Sequence, residues 1–228
     1  MKLSKTLSRF EVSAGFFFLV LQLFFFPSII TLISDNLTAP LTYLQQNLVF
    51  FMVNFLCTLA IFHHFLYRNL LGIKGQFGRL LRYALLGFAL YYGCNVALSF
   101  VIAAINPGFS NVNDSSVLAM VQESPVLMGI CTVFLVPVTE EMLHRGLVFG
   151  SLQRINRLLA YTVSTLLFSL IHVVGYIGHY ETGILLACFV QYLPAGIVLG
   201  WAYEKADNIF CPILIHMTVN QISLTLMR

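Results

Sequence analysis

The 228-residue sequence is 59% hydrophobic and only 9% charged, with a formal net charge of +3. That composition excludes a nucleic-acid footprint, and it excludes a soluble helical core, which would show polar faces at helical spacing; GFFFLVLQLFFFPSII shows none. What remains is an all-α, polytopic transmembrane helical bundle, because segments with the ~20 apolar residues that a crossing helix needs recur along the chain.

In chain order, MKLSKTLSRF carries Lys2, Lys5 and Arg9 ahead of the first apolar run. The run is too long for a signal peptide and lacks a small-x-small cleavage site, so it predicts a retained first span over 12–34. Further spans are predicted over 44–66, 82–105, 125–149, 158–180, 183–203 and 209–227. That makes about seven, or eight if a re-entrant or interfacial segment forms around 110–122. Residues 1–105 form an N-terminal three-span region of no legible role. Residues 106–124 form an extracytoplasmic connection opened by the turn Asn106-Pro107-Gly108, and 125–227 a four-helix core that holds the chemistry. With the N-terminus in the cytoplasm, every basic residue except Arg228 falls at a cytoplasmic end, as the positive-inside rule requires. The five cysteines are scattered and lie in or beside spans, where cysteine behaves as a small hydrophobe.

Ionisable side chains at membrane depth are costly and usually functional. Of the nine acids, seven fit loops or span ends, and the exceptions are adjacent, in VPVTEEMLHRG. Glu141 and Arg145 are four apart and share a helix face, so they can pair as ions. Glu140 lies about 100° around the helix, toward the side of His144, and is left without an evident partner. His172 in FSLIH and His216 with Asn220 in HMTVN supply further polar groups in two other spans. A carboxylate, two imidazoles and an amide can form a hydrolytic centre, with the glutamate and a histidine drawing a proton from water. The second histidine and the amide would donate to an oxyanion. Counting rise per residue puts Glu140 and His216 ~10 Å from the inner edge and His172 nearer ~20 Å, a mismatch that a cytosolic extension of the fifth helix would shrink.

These motifs resemble a known family. EEMLHR is similar to EExxxR, FSLIH to FxxxH and HMTVN to HxxxN of the CPBP (CAAX protease and bacteriocin-processing, Abi) family, over about residues 125–225. The resemblance implies an intramembrane glutamate protease, similar to type II CAAX prenyl endopeptidases. In it Glu140 and His172 activate water, His216 and Asn220 form the oxyanion site, and Glu141 and Arg145 hold the helix. The implied substrate is a peptide, or a lipidated or membrane-associated protein, of the CAAX or the bacteriocin and leader-peptide type. The alternative is a non-proteolytic self-immunity or peptide-binding protein with the same polar centre. No cofactor is expected. A zinc-dependent version would use Glu140, His172 and His216 as ligands, although HExxH is absent. Membrane lipids are the other expected partner, and oligomeric state leaves no mark in the sequence. The compact chain reads as a multi-pass protein of a bacterial plasma membrane, with its site reachable from the cytoplasmic side. His144, His63, His64 and His179 read as interfacial, Asn54, Asn95, Gln22 and Gln191 as packing groups, and Trp201 with Tyr203 as part of an interfacial belt.

Overall fold

The computed structural model describes residue 3 and residues 5–226. Lys2 and Arg228, which enter the expected orientation, lie outside the described residues. The protein is 85% helical, with no strand among the described residues.

Helix α1 (Arg9–Phe24) starts at a capping box in which Ser8 and Glu11 satisfy each other's backbone N–H groups at 3.2 and 2.7 Å. It meets α2 (Phe26–Asp35) at a bend of 49°, with Pro27 in the first turn of α2, where a missing N–H costs nothing. The pair together occupies the first predicted span. Helix α3 (Tyr43–Ile105) is 63 residues long and opens on a second capping box, Thr42 with Gln45. After a short α4 (Val112–Glu123), capped by Asn111, come α5 (Pro125–Gln153), α6 (Arg157–Ile171), α7 (Thr182–Ala206) and α8 (Phe210–Leu226).

A straight α3 would be ~95 Å long, three times the hydrocarbon thickness. It is not straight. Phe51 and Tyr91, ~60 Å apart on a straight helix, line one cavity. Asn69 holds Asn208 and Ile209 while Leu80 receives Cys211 two residues further on. The axis therefore doubles back across about residues 66–81, where side chains reach the helix backbone. Glu11 accepts from Phe65 N–H at 2.9 Å, and Asn208 donates to Asn69 C=O at 2.9 Å. Gly72, Gly75 and Gly78 fall in this stretch, consistent with glycine as a cause of sharp kinks.

Counted by length and composition among the described residues, four helices can cross a membrane, or five with the bent pair, against the seven predicted. The difference has two causes. The second and third predicted spans are the two arms of α3. The last is a 17-residue helix, ~25 Å long, that starts inside the protein after the buried turn Asp207-Asn208-Ile209.

Lipid tails solvate apolar side chains as well as a protein interior does, so the bundle is held by close approach and polar ties. Three glycines let helices touch. A Cβ on Gly196 would stand 2.6 Å from Thr165 Cγ2 and 2.9 Å from its Cα, one on Gly15 would stand 2.7 Å from Phe62, and one on Gly87 would stand 2.5 Å from Ile215. The polar tie at the basic end is Glu204, which accepts two hydrogen bonds from Arg157 and one each from Gln153 and Tyr161, at 2.7–2.9 Å. The aromatic belt expected at Trp201 and Tyr203 forms only in part, since Tyr203 is buried in the core against Phe149.

Gly196→Ala is expected to destabilise the protein by about 1–3 kcal/mol, read as a lower melting temperature in detergent. Gly93→Ala, whose new methyl would meet nothing within 4 Å, should leave it unchanged or slightly raised.

Candidate active site

The site begins with an irregularity in α5. Pro137 has no N–H, and Val136 N–H reaches back to Cys131 C=O, the widened pattern of a π-helical turn over Cys131–Leu135. Thr132 C=O is thereby stripped of both intrahelical donors. Asn220 of α8 replaces them, donating its amide to that carbonyl at 2.8 Å. A second π segment, Met142–Phe149, follows, so the regular turn Val136–Glu141 that carries both glutamates is flanked by two widened ones.

Glu141 and Arg145 form the ion pair predicted from their spacing, at 2.9 Å, with neither side chain exposed. Arg145 also donates to Ala195 and Gly196 C=O of α7 at 3.2 and 3.4 Å, and its guanidinium lies 4.3 Å from the Phe168 ring centre of α6. Glu141 does more than the sequence suggested, since its Oε1 also lies 2.9 Å from His216 Nδ1. One buried charge cluster thus ties four helices and orients one histidine.

Glu140 points away from this cluster, into a cavity. Its Oε2 lies 3.8 Å from His172 Nε2 and 3.9 Å from His216 Nε2, and it has no hydrogen-bond partner among the described residues. These separations are too long for hydrogen bonds and suit groups that share one water. Both rings are fixed from behind. His172 Nδ1 donates to Phe168 C=O at 2.7 Å, capping the end of α6, and His216 Nδ1 faces Glu141. Both Nε2 atoms are therefore turned toward Glu140. The expected depth mismatch between Glu140 and His172 disappears, because α5 extends to Gln153. Each residue then lies ~20 Å along its helix from the basic end.

The four predicted catalytic residues, Glu140, His172, His216 and Asn220, all line one cavity of about 680 Å³. Sequence reasoning missed Tyr192, whose ring stacks on His172 with centres 4.0 Å apart. Its hydroxyl donates to Asp114 and accepts from Asn113, both of α4, at 3.0 Å. Asn111 likewise bonds Gln191 at 2.8 Å. Nothing in the sequence linked the connecting loop to a tyrosine 78 positions away. Gln22, Asn95 and Gln191, read as packing groups, also line the cavity. His144 is not interfacial: it is buried, edge-on to Phe168 with ring centres 5.3 Å apart.

Ligand atoms sharing one tetrahedral zinc lie about 3.4 Å apart at ordinary bond lengths; the carboxylate-to-imidazole spacings of 3.8 and 3.9 Å exceed this. Among the described residues no set of three His, Cys, Asp or Glu side chains is arranged to hold a metal ion.

The cavity draws its lining from residues away from the basic end of the bundle. Its remaining walls come from the N-terminal arm of α3, from α4 and from the ends of α6 and α8, including Asn47, Ser116, Tyr176 and Ser223. Toward the basic end the fully buried layer of Phe62, Phe65, Leu143, Leu147 and Phe149 closes it.

Arg145→Ala strands the Glu141 carboxylate in this interior and is expected to cost about 3–5 kcal/mol, measured by denaturant unfolding in detergent. Replacing both partners, as in Glu141→Gln with Arg145→Met, should recover part of that loss.

Comparison with known proteins finds similarity over the segment that carries these residues. Residues 122–222 match the family model described as type II CAAX prenyl endopeptidase Rce1-like. UPF0177 protein YxdF of Lactococcus lactis is 30% identical over 86 residues, 38% of this chain and 42% of that protein. The membrane-embedded CAAX protease MroQ of Staphylococcus aureus is 27% identical over 159 residues, 66% of this chain and 59% of that protein. The chain thus spans about half the length of the curated relatives it matches. No solved structure matches it. The segment 122–222, which carries both glutamates, both histidines and the asparagine of the site, is thus similar to the type II CAAX prenyl endopeptidase Rce1-like family.

Proposed function

We propose that the chain is an intramembrane endopeptidase that hydrolyses a peptide bond with water activated by Glu140 and His172. One observation carries this reading: the buried Glu140 Oε2 has no protein hydrogen-bond partner and is faced by two imidazole Nε2 atoms held in place from behind.

The roles follow from the hydrogen bonds. With Nδ1–H given to Phe168 C=O, a neutral His172 presents a lone pair at Nε2. Glu140 and His172 are then two acceptors around one water, suited to take its proton as its oxygen attacks a carbonyl carbon. His216 can donate to the developing oxyanion only with protons on both nitrogens, and the Glu141 carboxylate at Nδ1 is the counter-charge for that form. Asn220 spends one amide hydrogen on Thr132 C=O and keeps the other for the oxyanion. The proton gathered by Glu140 and His172 then passes to the leaving amine. No step requires a metal or other cofactor.

The substrate class is a peptide or a lipidated or membrane-associated protein, of the CAAX or leader-peptide type, in a multi-pass protein of a bacterial plasma membrane with its N-terminus in the cytoplasm. The name of the MroQ relative supports the proteolytic reading.

Mass spectrometry of membrane and secreted peptides tests it, comparing strains with equal amounts of wild-type and Glu140→Gln protein. New peptide termini should appear only with wild type, and their rate of formation should fall ~10²–10⁴-fold in the variant, as expected for loss of a general base. Identical profiles from two well-folded proteins would instead favour a peptide-binding or immunity role. Preincubation with a chelator is expected to leave cleavage unchanged, and loss restored by added zinc would overturn the metal-free mechanism. Tyr192→Ala should lower kcat by removing the ring that holds His172. Tyr192→Phe, which keeps the stack, should retain most of the activity in the same assay.

A further inference from the structure

The two ends of the bundle differ in charge. At one end Arg68 donates to Thr6 C=O, Lys5 to Asp207 C=O, Arg79 to Lys205 C=O, and Arg157 pairs with Glu204. Lys74, Arg82 and Arg154 belong to the same end by their positions in the turn of α3 and at the foot of α5. Among the described residues no lysine or arginine lines the cavity. Its lining includes Tyr43, Asn47, Asn111, Ser116 and Tyr176, at helix ends and connections away from that basic end, and its mouth is read from them. Basic residues are retained in the cytoplasm when a membrane protein inserts. The basic end is therefore the cytoplasmic one, and the buried aromatic and aliphatic layer seals the site from it.

The wall of the cavity is also chemically specific. Besides apolar groups it carries side-chain amides from both arms of α3 and from α1, among them Gln22, Gln46, Asn47 and Asn95. Each amide offers donors and an acceptor, the complement of an unpaired peptide group. The buried Gln22 Oε1 has no partner among the described residues. The acids on the wall are Asp114, near the mouth, and Glu140. An extended, uncharged polypeptide segment fits this surface, whereas an acidic one would meet like charge.

We infer that the site is loaded from the extracytoplasmic face, through the mouth beside α4, by an extended uncharged segment of an exported or membrane-anchored polypeptide. The inference rests on the proteolytic reading for what happens to the segment, but the route stands on charge and cavity geometry alone.

Single cysteines read the route directly. They are placed in a chain whose five native cysteines are replaced by alanine and which retains cleavage. Ser116→Cys and Asn47→Cys put a thiol on the cavity wall, and Gly75→Cys puts one in the turn of α3, where nothing lies within 4 Å. A membrane-impermeant maleimide added to intact cells should label Ser116→Cys and Asn47→Cys, and should label Gly75→Cys only after lysis. A bulky maleimide on Ser116→Cys should then reduce cleavage in intact cells by at least tenfold. Labelling of Gly75→Cys in intact cells, with the cavity positions reached only after lysis, would overturn the route. So would full cleavage by cells whose Ser116→Cys is completely modified. Because labelling is read without cleavage, and can be repeated in Glu140→Gln protein, failure of the protease reading is distinguishable from failure of the route. In that case the labelling pattern holds while no new peptide termini form in any strain.

Discussion

The pairing of Glu141 with Arg145 is the constraint on which the rest of the site depends. Each charge alone would be prohibitive at this depth, and the pair is tolerable only because every direction around it is used. The guanidinium reaches two carbonyls of α7 and lies over a ring of α6, while the carboxylate turns to a histidine of α8. Such an arrangement is a poor source of net stability, since a buried ion pair barely offsets its own desolvation. Its value is registration. It fixes four helices relative to one another to within a hydrogen bond, and so sets where Glu140, the next residue, points.

Backbone irregularity serves the same end. In a regular helix Thr132 C=O would be satisfied internally and Asn220 would have no reason to approach it. Pro137 removes that option, and the amide that replaces the missing donor belongs to the helix that also carries His216. A defect on one helix thereby positions a polar group of another. The stack of Tyr192 on His172 extends this logic outward to α4, which would otherwise be a loose connection.

Much of this was legible in the sequence, and what was not has identifiable reasons. The membrane class, the helical fold and the Glu141–Arg145 pair follow from apolar runs and a spacing of four, both of which are local. The gathering of Glu140, His172, His216 and Asn220 came from motifs in order, and the structure brings them to one cavity. The second partner of Glu141, the stack of Tyr192 and the burial of His144 depend on helix rotation and contact between distant segments, which no periodicity encodes. The span count differed because helical hydrogen bonding continues through the turn of α3, and hydropathy marks apolar stretches rather than the direction of an axis. The layer that closes the cavity on one side was hidden for a related reason. Counting residues from a membrane edge gives depth, while the apolar layer that closes one end is visible only once Phe62 and Phe65 meet Leu143 and Leu147.

The doubled-back α3 has a consequence for how such a protein can diversify. Its two arms supply Gln46, Asn47, Phe51 and Tyr91 to the cavity wall, yet they lie wholly outside the segment that carries the family's likeness. In the proposed protease, reacting groups and much of the surface that would sort substrates are thus encoded in separate stretches of the gene. Substitutions in the first stretch can remodel what the cavity accepts while leaving the ion pair and the histidines undisturbed. A lineage could exchange one client polypeptide for another without passing through an inactive ancestor.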